Sequence, residues 1–226
     1  MDSPDSRAET TANAPDASPS VYGVAEFGAE WEDARAVVVV IHGRDRDPAE
    51  LARRIADVPQ LRDIRILAPY ITSQCWYPDR YDAPLEANAA ALSSGLAHIE
   101  AVMQGALDQG AAREGLVLAG FSQGACMVLE YVLSQGTRPA AALAFTGSLL
   151  DLRGRAPHTG DLEGLPMIVT SGATDEWLPT KDLLASAAVL ERAGADVHIE
   201  IFPDGLHIVR DQEISLLDDL LQQIGK

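Results

Sequence analysis

Cysteine, lysine and long apolar runs are all scarce in this chain, and each shortage removes a class of protein. Two cysteines, Cys75 and Cys126, among 226 residues are too few for a disulfide framework. A reduced, cytoplasmic setting is therefore expected, with Cys126 read as a small buried thiol. Lysine occurs only at Lys181 and Lys226, and 17 basic residues face 34 acidic ones, for a formal net charge of −17. Nucleic-acid binding relies on clustered Lys and Arg to neutralise phosphate, so no nucleic-acid partner is expected. An acidic, lysine-poor surface fits a protein that must stay soluble in high salt, and equally a GC-rich genome that favours Ala, Asp, Glu and Arg; composition leaves both open. The densest apolar run, Ala36 to Ile41, has six residues, far below the roughly 18 that cross a bilayer, so no membrane span is expected. No two histidines stand at ligand spacing with a supporting acid, which argues against a metal site.

What remains is a 47% hydrophobic chain long enough for one sizeable core. Residues 1–20 are rich in Asp, Ser, Thr, Ala and Pro and lack the basic start and apolar stretch of a secretory signal; they read as a disordered tail before a single domain at 21–226. Short apolar runs then alternate with segments of helical periodicity, the pattern of an α/β fold with a mostly parallel central sheet flanked by helices. Expected strands are Val21 to Phe27 as an antiparallel lead-in, Ala36 to Ile41, Arg65 to Ala68 stopped by Pro69, Leu116 to Ala119, Ala140 to Phe145, Met167 to Thr170 and Val197 to Phe202. Expected helices start at the Asp47-Pro48 cap, with Leu51, Ile55 and Val58 on one face, and continue with Leu85 to Leu107, Ala125 to Leu133, Thr180 to Arg192 and Gln212 to Ile224. No insertion is long enough for a separate lid domain, so the site should be open.

The chemistry concentrates at Gly120-Phe121-Ser122-Gln123-Gly124, between a buried strand and a helix. A serine projecting from a sharp turn needs neighbours without side chains, because flanking Cβ atoms would collide with the adjoining strand and helix. A serine hydroxyl needs a base to take its proton and an acid to orient that base. Asp175 follows the Met167 to Thr170 strand, and His207 follows the Val197 to Phe202 strand, which brings both to the sheet edge where Ser122 stands. Rivals exist: Asp204, flanked by Pro203 and Gly205, reads better as a turn former. His198 within a strand and His98 on a helix read as core or surface residues, and His158 lies in a Pro-Gly loop. Two oxyanion donors are expected, the backbone N–H of Gln123 and that of Arg44 after the first buried strand, with His42 holding the loop.

These segments together, Ile41-His42-Gly43-Arg44, Trp76-Tyr77-Pro78, Pro84-Leu85-Glu86-x-Asn88, the Ser122 elbow, Gly172-Ala173-x-Asp175 and Gly205-Leu206-His207, resemble the phospholipase/carboxylesterase family of α/β hydrolases, which includes acyl-protein thioesterases. The resemblance implies an α/β-hydrolase fold and cofactor-free hydrolysis of a small-molecule ester or thioester by a Ser122-Asp175-His207 triad. Dienelactone hydrolases share the layout but carry a cysteine nucleophile, which makes lactone hydrolysis the alternative. A non-catalytic binding scaffold on the same fold is the alternative of another class. Arg44-Asp45-Arg46 departs from the small or apolar residue and glycine of many relatives; these arginines are expected to pair with Asp45 and Asp47, or else to attract an anionic substrate group. Trp76, Tyr77 and Trp177 fall in loops at the catalytic edge and are pocket candidates, though large loop aromatics also serve as packing staples. Oligomeric state, including a homodimer, is left open.

Overall fold

The computed structural model describes residues 21–134, 136–155 and 161–224. The tail expected at 1–20 and the competing His158 lie outside the described residues. Seven strands, β1 (Tyr22–Gly28), β2 (Ala36–Ile41), β3 (Ile64–Ile71), β4 (Leu116–Phe121), β5 (Ala141–Phe145), β6 (Pro166–Gly172) and β7 (Asp196–Phe202), form one sheet among the described residues, in the order β1-β3-β2-β4-β5-β6-β7. Only β1 runs antiparallel, against β3, as the lead-in strand was expected to do; the remaining pairs are parallel. Among the described residues, five α-helices, α1 (Glu50–Ala56), α2 (Leu85–Asp108), α3 (Gln123–Leu133), α4 (Thr180–Arg192) and α5 (Asp211–Gln223), supply the crossovers and the cover.

β2 shows why the central strands read as unbroken apolar runs. Val37, Val39 and Ile41 pack into a core shared with α2, α3 and α4, while Val38 and Val40 pack into one shared with α1 and α5. Parallel strands with helices on both faces have no solvated side, so alternation disappears and β-branched residues fill both layers. Val38 to Ile41 have no exposed surface, and each such side chain contributes about 1.5–3 kcal/mol by leaving water. Helix α3 is buried along its whole length, Gln123 to Leu133, against β4, β5 and α2. Its one acidic residue, Glu130, is neutralised by Arg155 through contacts of 2.6 and 2.8 Å.

Two local expectations need correction. Pro69 does not stop β3. The ladder to β2 ends at Leu67, whereas the ladder to β1 continues to Ile71, so at Pro69 one flank of the strand is open and a missing N–H removes no bond on that side. Helix α1 starts at Glu50 rather than beside Pro48, and Val58 lies beyond its end. Asp47 caps the preceding turn instead, accepting the Ala49 N–H at 2.9 Å.

The connection from β2 runs outward to β3, and the next returns past β2 to β4, so the winding reverses between β2 and β4. The crevice beyond the carboxyl ends of strands at such a reversal is where open α/β sheets hold ligands.

Candidate active site

Ser122 stands in that crevice, immediately after β4 and at the N-cap of α3, with φ 55° and ψ −118°. A non-glycine residue held in so sparsely populated a backbone region costs on the order of 1–3 kcal/mol, so the surroundings must impose it. They do so through two backbone bonds: the Ser122 N–H donates to the Phe145 carbonyl at 3.0 Å, and the Ser122 carbonyl accepts the Cys126 N–H at 3.0 Å. The flanking glycines let the turn close. A Cβ on Gly120 would stand 2.5 Å from the Gly124 carbonyl oxygen, and one on Gly124 would stand 2.2 Å from that of Ile41. Both obstacles are backbone that cannot rotate away. Gly124→Ala is therefore expected to destabilise the protein by about 3 kcal/mol or more, at the severe end of overpacking; an unchanged melting midpoint would show that β2 can give way.

Asp175 lies in the turn after β6, its side chain wholly removed from solvent. Its Oδ1 accepts the N–H groups of Trp177 and Leu178 at 2.8 and 3.0 Å, which fixes the carboxylate and leaves Oδ2 to the Nδ1 of His207 at 2.8 Å. On the other side of the ring, Nε2 is 2.8 Å from Ser122 Oγ. An ionised carboxylate only accepts, so the ring proton sits on Nδ1 and Nε2 presents a lone pair to the serine hydroxyl. The Phe121 and Trp177 rings flank the imidazole at 5.1 and 6.3 Å between centroids. The rivals stand elsewhere: His98 meets the Gly23 carbonyl at 3.0 Å, and His198 stands 3.7 Å from Glu200 on the sheet's outer strand. The Asp204 carboxylate is engaged by Arg210 and the Leu206 N–H.

Gly43, after β2, leaves so little room that a Cβ there would be 3.3 Å from the Ser122 Cβ, so the following peptide lies against Ser122. Among the described residues no acceptor takes the N–H of Arg44 or of Gln123, the first residue of α3. The Arg44 side chain turns away from Asp45 and Asp47 and donates to the carbonyls of Tyr77, Pro78 and Asp79 at 2.7, 2.9 and 3.0 Å. The expected local pairing thus fails. Asp47 binds Arg53 at 2.7 Å, and Arg46 stands 3.9 Å from Glu50. The Gln123 side chain grips the same segment, accepting the Trp76 N–H at 2.9 Å and donating to the Tyr77 carbonyl at 2.8 Å. His42 bonds the Gly43 carbonyl through Nδ1 at 2.8 Å, and burial pushes its pKa down, so it is neutral and structural as expected.

The cavity at the site has a volume of about 640 Å³. Tyr77 lines its inner wall and Trp177, 66% exposed, its rim. Trp76 does not reach it: the ring is fully buried against His42 and its indole N–H donates to the His42 carbonyl at 3.0 Å, so this pocket candidate is a packing staple. Burial pushes up both the Tyr77 hydroxyl and the Cys126 thiol at the cavity wall, leaving both neutral at physiological pH. Among the described residues no group of three or more His, Cys, Asp or Glu is arranged to hold a metal, and no helix is long and apolar enough to cross a membrane.

Arg210 and Glu213 are the residues the sequence reading passed over. An arginine and a glutamate three apart at a helix start look like a solvated surface pair. Here both are buried and connect the His207 loop to β6, a long-range arrangement with no local signal.

Residues 67–224 match the family model for phospholipase/carboxylesterase. The chain is similar to the crystal structure of a phospholipase/carboxylesterase from Dyadobacter fermentans, with 30% sequence identity and a TM-score of 0.80 over 89% of this chain and 97% of that one. A carboxylesterase from Mesorhizobium loti shares the α/β-hydrolase fold at 22% identity and a TM-score of 0.66, covering 84% of this chain and 89% of its own. So does acyl-protein thioesterase 2 from Zea mays, at 16% identity and a TM-score of 0.66, covering 90% and 98%. No curated protein sequence matches the chain.

Proposed function

Because the chain belongs to the phospholipase/carboxylesterase family, we propose that it is a serine esterase, cleaving carboxylic esters or thioesters through an acyl-enzyme on Ser122. The observation that carries this reading is the pair of 2.8 Å contacts that put one imidazole between Ser122 Oγ and the Asp175 carboxylate. His207 Nε2 takes the hydroxyl proton as Oγ attacks the substrate carbonyl, and Asp175 stabilises the resulting imidazolium. The tetrahedral oxyanion is received by the amides of Gln123 and Arg44. Both belong to backbone held by other contacts, so they need little rearrangement as charge develops. His207 then protonates the departing alcohol or thiol, and water repeats the sequence to release the acid. No cofactor takes part in this scheme.

The cavity volume suits a small-molecule substrate with an apolar portion against Tyr77, Phe121 and Trp177. Both cysteines are free, which supports a reducing compartment such as the cytoplasm.

A fluorophosphonate probe tests the reading directly, because it reacts with an activated serine and ignores an ordinary one. The wild-type protein is expected to incorporate one equivalent, at Ser122, blocked by prior esterase inhibition. Folded protein that takes up no label would leave a binding scaffold in place of an enzyme.

A further inference from the structure

His207 sits on the loop between β7 and α5, and backbone amides do not form that loop into a regular element. What holds it is a side chain from its own end. Arg210 is 7% exposed and points back under the loop. Its guanidinium donates to the Leu206 carbonyl at 2.8 Å and the Ile208 carbonyl at 3.4 Å, the carbonyls of the residues on either side of His207. It also binds both oxygens of Asp204, at the loop's beginning, while the Phe202 ring covers its face with a centroid distance of 4.7 Å. Asp204 in turn accepts the Leu206 N–H at 3.0 Å and, through its own carbonyl, the Thr174 N–H at 3.2 Å, one residue before Asp175.

The guanidinium is itself anchored. Glu213, with no exposed surface, accepts from the Arg210 N–H at 2.6 Å and stands 3.3 Å from the guanidinium Nη1. Its other oxygen takes the hydroxyl of Thr170 on β6, the strand that leads to Asp175. One buried network therefore joins the strand carrying the acid to the loop carrying the base. A second arginine, Arg54 of α1, closes the loop's far end by donating to the Val209 carbonyl at 2.7 Å.

We infer that Arg210, braced by Glu213, is a positioning residue for His207: it sets the imidazole's place between Ser122 and Asp175 without touching substrate. The inference rests on the esterase reading of Ser122, Asp175 and His207. Its physical basis is geometric. A proton transfer across 2.8 Å tolerates little displacement of the ring, and misplacement by about 1 Å costs on the order of 10²-fold in rate. Five donors in a rigid plane suit an arginine to hold two carbonyls and a carboxylate at once, which a lysine does not reproduce.

The test compares wild type with Arg210→Met, which keeps the stem and volume, with Arg210→Lys and with Asp204→Asn, whose part-exposed carboxylate can be changed without opening the core. The measurements are the rate constant and final stoichiometry of fluorophosphonate labelling, together with kcat and KM on a short-chain p-nitrophenyl ester. For Arg210→Met, labelling is expected to slow and kcat to fall by about 10- to 100-fold, with KM within about twofold and nearly one labelled site per folded molecule. Arg210→Lys should recover only part of the rate, and Asp204→Asn should lose a few-fold. In a His207→Ala background, adding Arg210→Met should cause little further loss, because the group it positions is gone. A stoichiometry that drops in step with unfolded protein while each surviving site labels at the wild-type rate would reduce Arg210 to a stability element. So would undiminished kcat in both Asp204→Asn and Arg210→Lys, which keeps the proposal open to refutation if Arg210→Met fails to fold. Wild-type protein that does not label at all overturns the esterase reading itself, a different outcome from wild-type labelling with indifferent variants.

Discussion

Ser122→Ala is expected to lower turnover of a short-chain p-nitrophenyl ester by about 10³-fold or more while leaving the melting temperature close to wild type. The size follows from the role proposed for the hydroxyl: without it no acyl-enzyme could form, and the amides of Gln123 and Arg44 could assist only direct attack by water. The fold should tolerate the change. Alanine keeps the Cβ that the turn already accommodates at φ 55°, and the Oγ removed makes its contact with His207 rather than with the core. Steady-state kinetics beside a thermal melt separate the two effects, and turnover within a few-fold of wild type in the folded variant would end the acyl-enzyme mechanism.

Asp175→Asn should be comparably damaging, by about 10⁴-fold in kcat, for a reason visible in the hydrogen bonds. The amides of Trp177 and Leu178 both donate to Oδ1, so the carbonyl oxygen of an asparagine is drawn to that side. Its NH₂ then faces His207 Nδ1, where Oδ2 now lies at 2.8 Å. A donor facing Nδ1 forces the ring proton onto Nε2, and a protonated Nε2 cannot accept from Ser122. Volume and local backbone bonds are retained, so KM should change little. A kcat near wild type would mean that the carboxylate neither orients nor stabilises the ring.

The parts of this site that could be read from the chain share one property: their chemistry is dictated by near neighbours in sequence. The glycines around Ser122 are required by the turn itself, Asp175 follows a strand announced by its apolar run, and His207 follows one announced by apolar alternation. α2 and α4 were legible for the same reason, since their periodicity is local. Where a side chain reaches across the fold, the sequence misleads. Arg44 sits beside two aspartates and binds none of them, preferring three carbonyls more than 30 residues away. Trp76 looks like a pocket residue because its loop borders the site, yet its ring turns inward. Pro69 reads as a strand stop until the sheet order shows one flank of β3 unpaired beyond Leu67. Arg210 and Glu213 resemble surface charges, and only the return of α5 against β6 buries them.

The complete enclosure of α3 bears on how such a protein can diversify. Ser122 stands at the head of a rod buried along its whole length, so tilting that rod to admit a bulkier ligand would open voids throughout the interior. The segment after β6, which contributes the exposed Trp177 to the cavity's rim, carries no comparable burial. Change in ligand preference is thereby channelled into the periphery, while the Ser122 hydroxyl keeps its address.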